Sequence, residues 1–271
     1  MYVVSKVVLE IIPPFTLVSL RLLLGILTLA SVMLLQGLPK VSGKEVLQVV
    51  GVGFVGYGVS LSLQFLGTKL STASNGSLVT SATPAFVLLF AWLLLREKIT
   101  ARRLGALFLA TAGVIGVIDP RSAQLNPDMF LGNLLLFGAA ITWALYSVLV
   151  RKMTQSLDVL PFSFVAFFGG LPVTIPAAIW ELSTVGVGEI SLGVVGGVLF
   201  LGIISTALAM ILWNTAFATL DASTASLTFF AQPLVGTFLG WLFLSERITL
   251  LFMVGGILIS MGLVLSSTEK S

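Results

Sequence analysis

The sequence predicts an all-α polytopic membrane protein, built as an inverted repeat of two five-helix bundles. Three observations predict it. The 271 residues are 57% hydrophobic and only 9% charged, whereas soluble domains carry about 25% charge to cover their surface. Apolar runs of about 20 residues recur, the length that crosses a bilayer at 1.5 Å rise per residue. Two stretches 149 positions apart, Ala73–Gly113 and Ala222–Gly262, repeat the same distinctive residues. Runs this long do not suit soluble strands, and an open sheet in lipid leaves backbone groups unpaired.

The elements follow in order. Met1–Ile12 is apolar, about half a span long, and lacks the basic start of a signal peptide. Pro13–Pro14 closes it, so it reads as the outer half of a first helix whose beginning is missing. Nine full spans come next: Phe15–Gly37, Val46–Leu66, Ser74–Leu95, Arg103–Ile118, Phe130–Val150, Leu160–Trp180, Leu192–Ala216, Ala222–Leu244 and Leu250–Ser266. The fourth of these is short for a crossing. The first repeat then covers 1–119, as the partial helix and helices 2–5, and the second covers 130–268 as helices 6–10.

The loops set the orientation. If the first helix runs from inside to outside, nine cations fall on the inner side: Lys40, Lys44, Arg96, Lys98, Arg102, Arg103, Arg151, Lys152 and Lys270. Three (Lys69, Arg121, Arg247) fall outside, and Lys6 and Arg21 lie within spans, which accounts for all 14. This excess obeys the positive-inside rule and predicts a cytoplasmic C-terminus at the cell membrane.

In the repeat, Pro84 aligns with Pro233, Trp92 with Trp241, Glu97 with Glu246, and Ile99–Thr100 with Ile248–Thr249. Ser74, Ser77 and Gly113 align with Ser223, Ser226 and Gly262. Five helices per copy is an odd number, so the second copy enters the membrane upside down. Inverted repeats of this kind place a substrate site near the midplane between the halves.

These residues carry a resemblance to the drug/metabolite transporter superfamily, specifically the EamA-type ten-helix permeases. Further marks are Lys6, the Pro14…Arg21 spacing and Trp143…Arg151. The chain departs from that pattern at its N-terminus, where the family has an entire first helix with a Trp-Gly pair before the lysine. The resemblance implies a permease or exporter of small metabolites, such as amino acids or amphipathic compounds.

Polar residues inside spans face other helices or a cavity. Tyr57, Ser60, Gln64 and Thr68 share one face of the third helix, and Ser74, Ser77 and Ser81 form a stripe leading to Pro84. Asn75 starts that fourth helix. Trp143 and Tyr146 lie one turn apart in the sixth helix; Thr206, Met210 and Trp213–Asn214 share a face of the eighth; Thr224, Thr228 and Gln232 follow in the ninth. The small hydroxyls suit helix–helix contact. The larger groups, Tyr57, Gln64, Asn75, Trp143, Tyr146, Trp213, Asn214 and Gln232, together with Lys6, are the candidate substrate-binding residues. Arg21 reads as a cation that attracts an anionic group of the substrate, such as a carboxylate, or as one that snorkels to the outer interface or pairs with Glu10.

Pro84 and Pro233 sit in mid-helix, where each frees the carbonyl four residues back, on Thr80 and Phe229. Both helices are expected to kink there, as paired bending points or as static curvature. Glu97 and Glu246 read as structural corner residues ahead of Thr100 and Thr249, which are placed to N-cap the next helices.

The absences bound the function. With no Cys and no His, the chain offers no thiolate or histidine metal site and no clustered catalytic groups. No cofactor, metal or nucleic-acid partner is expected, and no GxxxxGK[ST] run points to ATP. All 11 acids lie in loops or near helix ends, so a midplane carboxylate is not available to carry protons, and facilitated diffusion or exchange fits better. The expected partners are a small-molecule substrate and the lipid bilayer, with a homodimer left open. An alternative from another class is a non-transporting membrane scaffold or accessory subunit.

Overall fold

The computed structural model describes residues 2–36, 42–71, 76, 79–118, 129–230 and 250–267. All regular structure among them is helical. In chain order the helices are α1 (Tyr2–Leu9), α2 (Pro14–Gln36), α3 (Gly43–Leu70), α4 (Thr83–Leu95), α5 (Ala101–Ile118), α6 (Phe130–Met153), α7 (Val159–Thr184), α8 (Leu192–Thr219), α9 (Ala222–Ser226) and α10 (Leu250–Ser267). Five of them, α2, α3, α6, α7 and α8, are each long and apolar enough to cross a membrane. The protein is a polytopic helical membrane protein.

Local chemistry sets the helix ends. Ser42 N-caps α3 by accepting from the Glu45 amide at 3.3 Å, and Glu45 returns the contact to the Ser42 amide at 2.9 Å. This capping box satisfies two otherwise unpaired donors. Ser191 caps α8 by accepting from the Val194 amide at 3.3 Å, with no return contact because the third residue is valine. The two capped helices correspond residue for residue: Gly43 and Leu70 bound α3, and Leu192 and Thr219, each 149 positions later, bound α8. Both contain a π-helical stretch near their middle, Phe54–Ser60 and Phe200–Leu208. The helices α5 and α10 are offset by 149 residues at both ends as well.

Pro84 interrupts its span more sharply than a kink. Residues 81–82 form a turn and α4 begins at Thr83, with Pro84 in its first turn. There the missing amide costs nothing, because first-turn amides have no intrahelical acceptor. The Thr83 hydroxyl donates to the Thr80 carbonyl at 2.6 Å and so occupies the acceptor that the proline leaves open. Two further prolines, Pro172 and Pro176, lie inside α7. Of the ninth predicted span, the structure describes α9 and a 3-10 turn, Leu227–Phe230; Pro233 lies outside the described residues.

Glycines set the closest helix crossings. A methyl on Gly53 of α3 would fall on the Ala166 carbonyl of α7, and one on Gly169 of α7 on the Val50 carbonyl of α3. The α5–α10 crossing is reciprocal. A methyl on Gly113 would lie 2.6 Å from the Gly255 carbonyl oxygen, and one on Gly262 would lie 2.7 Å from that of Ala106. Gly255 and Gly262 stand 149 positions after Ala106 and Gly113. Ala110 and Ile259, also 149 apart, are wholly buried between them. The two helices are therefore antiparallel and meet through matching positions. Likewise α2 runs antiparallel to α7, with Gly25 against Phe167 and Leu22 against Gly170.

The two ends of the bundle are marked by α6. Near its start, Ser71 donates to the Asn133 side chain at 2.7 Å; at its far end lies Arg151. Eighteen residues separate the two, about 27 Å along the axis.

Candidate functional site

The middle of the bundle holds a polar and aromatic layer supplied by α3, α6, α7 and α8. Its spine is a directed chain of hydrogen bonds. The Tyr146 hydroxyl donates to Asn214 Oδ1 at 3.0 Å, so it accepts from the Tyr57 hydroxyl at 2.5 Å. Asn214 Nδ2 donates to Ser163 Oγ at 2.9 Å, and Ser163 passes its proton to the Val159 carbonyl at 2.7 Å. All four side chains are fully buried. A buried polar group left unpaired in such a setting costs about 1–3 kcal/mol, which explains why every member has a partner.

Aromatic rings frame the chain. Tyr57 meets Phe167 edge to face at 4.8 Å between centroids and Trp143 at 6.2 Å. Trp143 also contacts Tyr146 at 4.8 Å and Trp213 at 6.2 Å. Trp213 continues to Phe217 and Phe229, and its indole donates to Ser147 at 3.2 Å. Both π-helical stretches lie at this level, around Tyr57 and Thr206, and such stretches are frequent at functional sites because the extra residue re-aims side chains. Close approach needs glycine here: a Cβ on Gly56 would overlap the Tyr146 ring.

Arg21 adds a cation to the same region. It is 1% exposed, its Nε donates to Thr206 Oγ1 at 2.9 Å, and its guanidinium lies 4.7 Å above the Phe65 ring centre. Thr206 in turn donates to the Leu201 carbonyl, so its hydroxyl is fixed as an acceptor for Arg21. The expected snorkelling or pairing with Glu10 does not describe this position: the side chain turns inward between α2, α3 and α8.

The other candidates are distributed as follows. Lys6 Nζ donates to three backbone carbonyls at the end of α3, on Thr68, Lys69 and Ser71, at 3.1, 3.1 and 2.7 Å. It occupies the carbonyls that a helix C-terminus leaves open. Gln64 is half-buried on α3, two turns beyond Tyr57. Asn75, Gln232 and Glu246 lie outside the described residues, as do Ser74 and Ser77. Ser147, Ser163 and Phe167 belong to the layer although sequence reasoning did not single them out for it. For Ser147 the signal was present, one turn beyond Trp143.

At the Arg151 end of α6 an ionic cluster ties distant parts of the chain. Glu97 Oε1 accepts from the Ala222 amide at 2.8 Å, and Oε2 accepts from the Ser223 hydroxyl at 2.7 Å and its amide at 3.3 Å. The carboxylate thus caps α9, 125 residues away, rather than the helix that follows it. Thr100 caps that next helix, accepting from the Arg103 amide at 3.1 Å. Arg103 bridges Glu97 at 3.3 Å and Asp221 at 2.7 Å. Arg151 lies 4.0 Å from Asp221 and donates to the Ala218 carbonyl at 2.6 Å, closing the end of α8. Positions 149 away from Arg103, Asp221 and Arg151 are Phe252, Thr72 and Tyr2, so the repeat reproduces only the glutamate. At the opposite end Glu181 caps α2 through Phe15 and Thr16 without a cation.

Residues 1–118 and 130–268 each match the EamA-like transporter family. The chain belongs to this family. A relative described as an uncharacterized transporter, YetK of Bacillus subtilis (strain 168), is 29% identical over 67% of this chain and 56% of its own length. An uncharacterized transporter of Archaeoglobus fulgidus is 31% identical over 66% of this chain and 62% of its own. The matches thus span less than two thirds of these two relatives. YoaV of Bacillus subtilis, also described as an uncharacterized transporter, is 24% identical over 98% of this chain and 91% of its own. A solved crystal structure shares 19% identity with TM-score 0.80, covering 97% of this chain and 91% of that one, which shows a common fold. Through this family the chain falls within the drug/metabolite transporter superfamily.

Proposed function

We propose that the protein is a secondary transporter that moves small neutral or zwitterionic metabolites, amino acids or amphipathic compounds, out of the cell by alternating access between two oppositely inserted halves. The observation that carries this reading is the reciprocal α5–α10 crossing, in which Gly113 meets Gly255 and Gly262 meets Ala106. Antiparallel contact through matching positions is what two copies related by an axis in the membrane plane produce. Two such halves exchange shapes at little energetic cost, giving states open to either side.

The layer around Tyr57, Trp143, Tyr146, Trp213 and Asn214 supports a binding region for one solute. Clustered aromatic rings suit an apolar side chain, and Asn and Tyr side chains supply orienting hydrogen bonds. Arg21 favours a carboxylate at one pole of the solute. No carboxylate belongs to the layer among the described residues, in keeping with exchange or facilitated diffusion. The Arg151 end, with Lys152 next in sequence and with Arg103 of the ionic cluster and its sequence neighbours Arg96, Lys98 and Arg102, faces the cytoplasm in this reading, and the C-terminus with it.

The test is counterflow in liposomes with purified protein and a panel of amino acids and amphipathic metabolites. Saturable exchange of at least one solute, abolished by Asn214→Ala in a correctly folded sample, is the expected result. Absence of saturable flux for the whole panel would count against transport of this class.

A further inference from the structure

We propose that the corner between α4 and α5 is a docking groove for an anionic phospholipid headgroup. The groove, about 630 Å³, is lined by Trp92, Leu93, Arg96, Glu97, Lys98 and Ile99. It sits where the chain changes from apolar to charged: Trp92, Leu93 and Leu94 are exposed side chains at the end of α4, and two cations follow at once. Tryptophan favours the headgroup level of a bilayer, and cations beside it extend into the phosphate layer.

The charge pattern selects an anion. Residues 96–100 have no helical structure and join α4 to α5, with Arg96 and Lys98 exposed and Glu97 partly buried between them. Glu97 points inward, and its two oxygens are occupied by Ala222, Ser223 and Arg103. Arg103 also donates to the Lys98 carbonyl at 3.1 Å, which fixes the turn. Arg96 and Lys98 are exposed, and neither side chain has a hydrogen-bond or ion-pair partner among the described residues. Among the described lining residues the one acid is thus withdrawn, and two uncompensated cations line the groove beside it.

The backbone adds a second argument. Arg96 is in the left-handed region, at φ 58°, the one non-glycine residue there among those described. Glycine takes this conformation with less strain. A guanidinium held where glycine fits better points to a role for the side chain. It also supplies a clean variant, because Arg96→Gly relieves the backbone while removing the cation.

The experiment uses the full chain in phosphatidylcholine nanodiscs holding a minor fraction of phosphatidylglycerol. Brominated acyl chains are placed on one lipid or the other, and Trp92 emission is isolated by difference from Trp92→Phe. Phosphatidylglycerol is expected to quench Trp92 more than its mole fraction predicts, with roughly fivefold enrichment per cation. Arg96→Gly with Lys98→Ala is expected to abolish the preference while the melting temperature holds or rises. Equal quenching by both lipids in the native protein would overturn the proposal, and so would a preference that survives the double variant. Loss of the preference on adding inorganic phosphate, but not chloride of equal ionic strength, would assign the groove to a soluble anion and also overturn it.

Discussion

The hydroxyls of Tyr57 and Tyr146, 89 positions apart in sequence, lie 2.5 Å from one another with both side chains wholly buried. The bond joins α3 to α6 at the level of the π-helical stretch, and its direction is fixed because Tyr146 gives its own proton to Asn214.

That direction ranks two conservative variants. Tyr57→Phe removes a donor but leaves Tyr146 bonded to Asn214, at a cost of about 1 kcal/mol. Tyr146→Phe deprives both Tyr57 and Asn214 Oδ1, at a cost of about 2–3 kcal/mol. Thermal unfolding in detergent is expected to place Tyr146→Phe clearly below Tyr57→Phe; the reverse order would contradict the assigned chain.

Glycines at the crossings should tolerate alanine unequally. Gly53→Ala and Gly169→Ala drive a methyl into the backbone of the facing helix, so α3 and α7 must separate, at a cost of about 3 kcal/mol or more. Gly51→Ala and Gly196→Ala meet nothing within 4 Å and lie in helices. They are expected to be neutral or stabilising by up to about 1 kcal/mol. Unfolding midpoints of the four variants in one detergent check the contrast.

The interruption at Pro84 predicts a non-additive pair. Thr83→Val removes the hydroxyl that occupies the Thr80 carbonyl and should cost about 1 kcal/mol. Adding Pro84→Ala restores an amide able to reach that carbonyl, so the double variant is expected to recover most of the loss. A double-mutant cycle on stability measures the coupling, and strict additivity would argue against it.

Under the proposed alternating-access cycle, the ionic cluster is the contact that keeps the Arg151 end closed. Asp221→Asn removes the charge shared by Arg103 and Arg151, at a cost of about 1.5–3 kcal/mol in contacts of the closed arrangement. Because the chain has no cysteine, Ser226→Cys provides a single label site that is buried in the closed form. A membrane-impermeant maleimide is expected to label it several-fold faster when Asp221→Asn is also present.

The spans were legible because an apolar run of span length has few alternatives. Phe130–Val150 became Phe130–Met153, and Leu250–Ser266 became Leu250–Ser267. Facing partners were harder. Helical spacing placed Tyr57 on a polar face, yet nothing in its neighbourhood named Tyr146 or Phe167, since packing between helices is set by crossing geometry and not by local pattern. Arg21 shows the same gap: its position within a span was readable, but Thr206 and Phe65 lie on other helices. The π-helical stretches have no residue signature that separates them from an ordinary turn. Lys6 was visible as an intramembrane cation, whereas its three carbonyl acceptors belong to a helix end more than 60 positions away.

Of the cluster of Glu97, Arg103, Asp221 and Arg151, only Glu97 has a charged equivalent in the repeat, Glu246; the other three mirror onto Phe252, Thr72 and Tyr2. If the protein is the carrier proposed above, a bolt fitted to one face leaves the final distribution of solute untouched, because the gradient alone decides that. It acts on the pace: one reorientation must break ion pairs and the opposite one need not. Half-saturation and maximal velocity would then differ between the two compartments by a common factor, and added salt on the bolted side would bring them closer together.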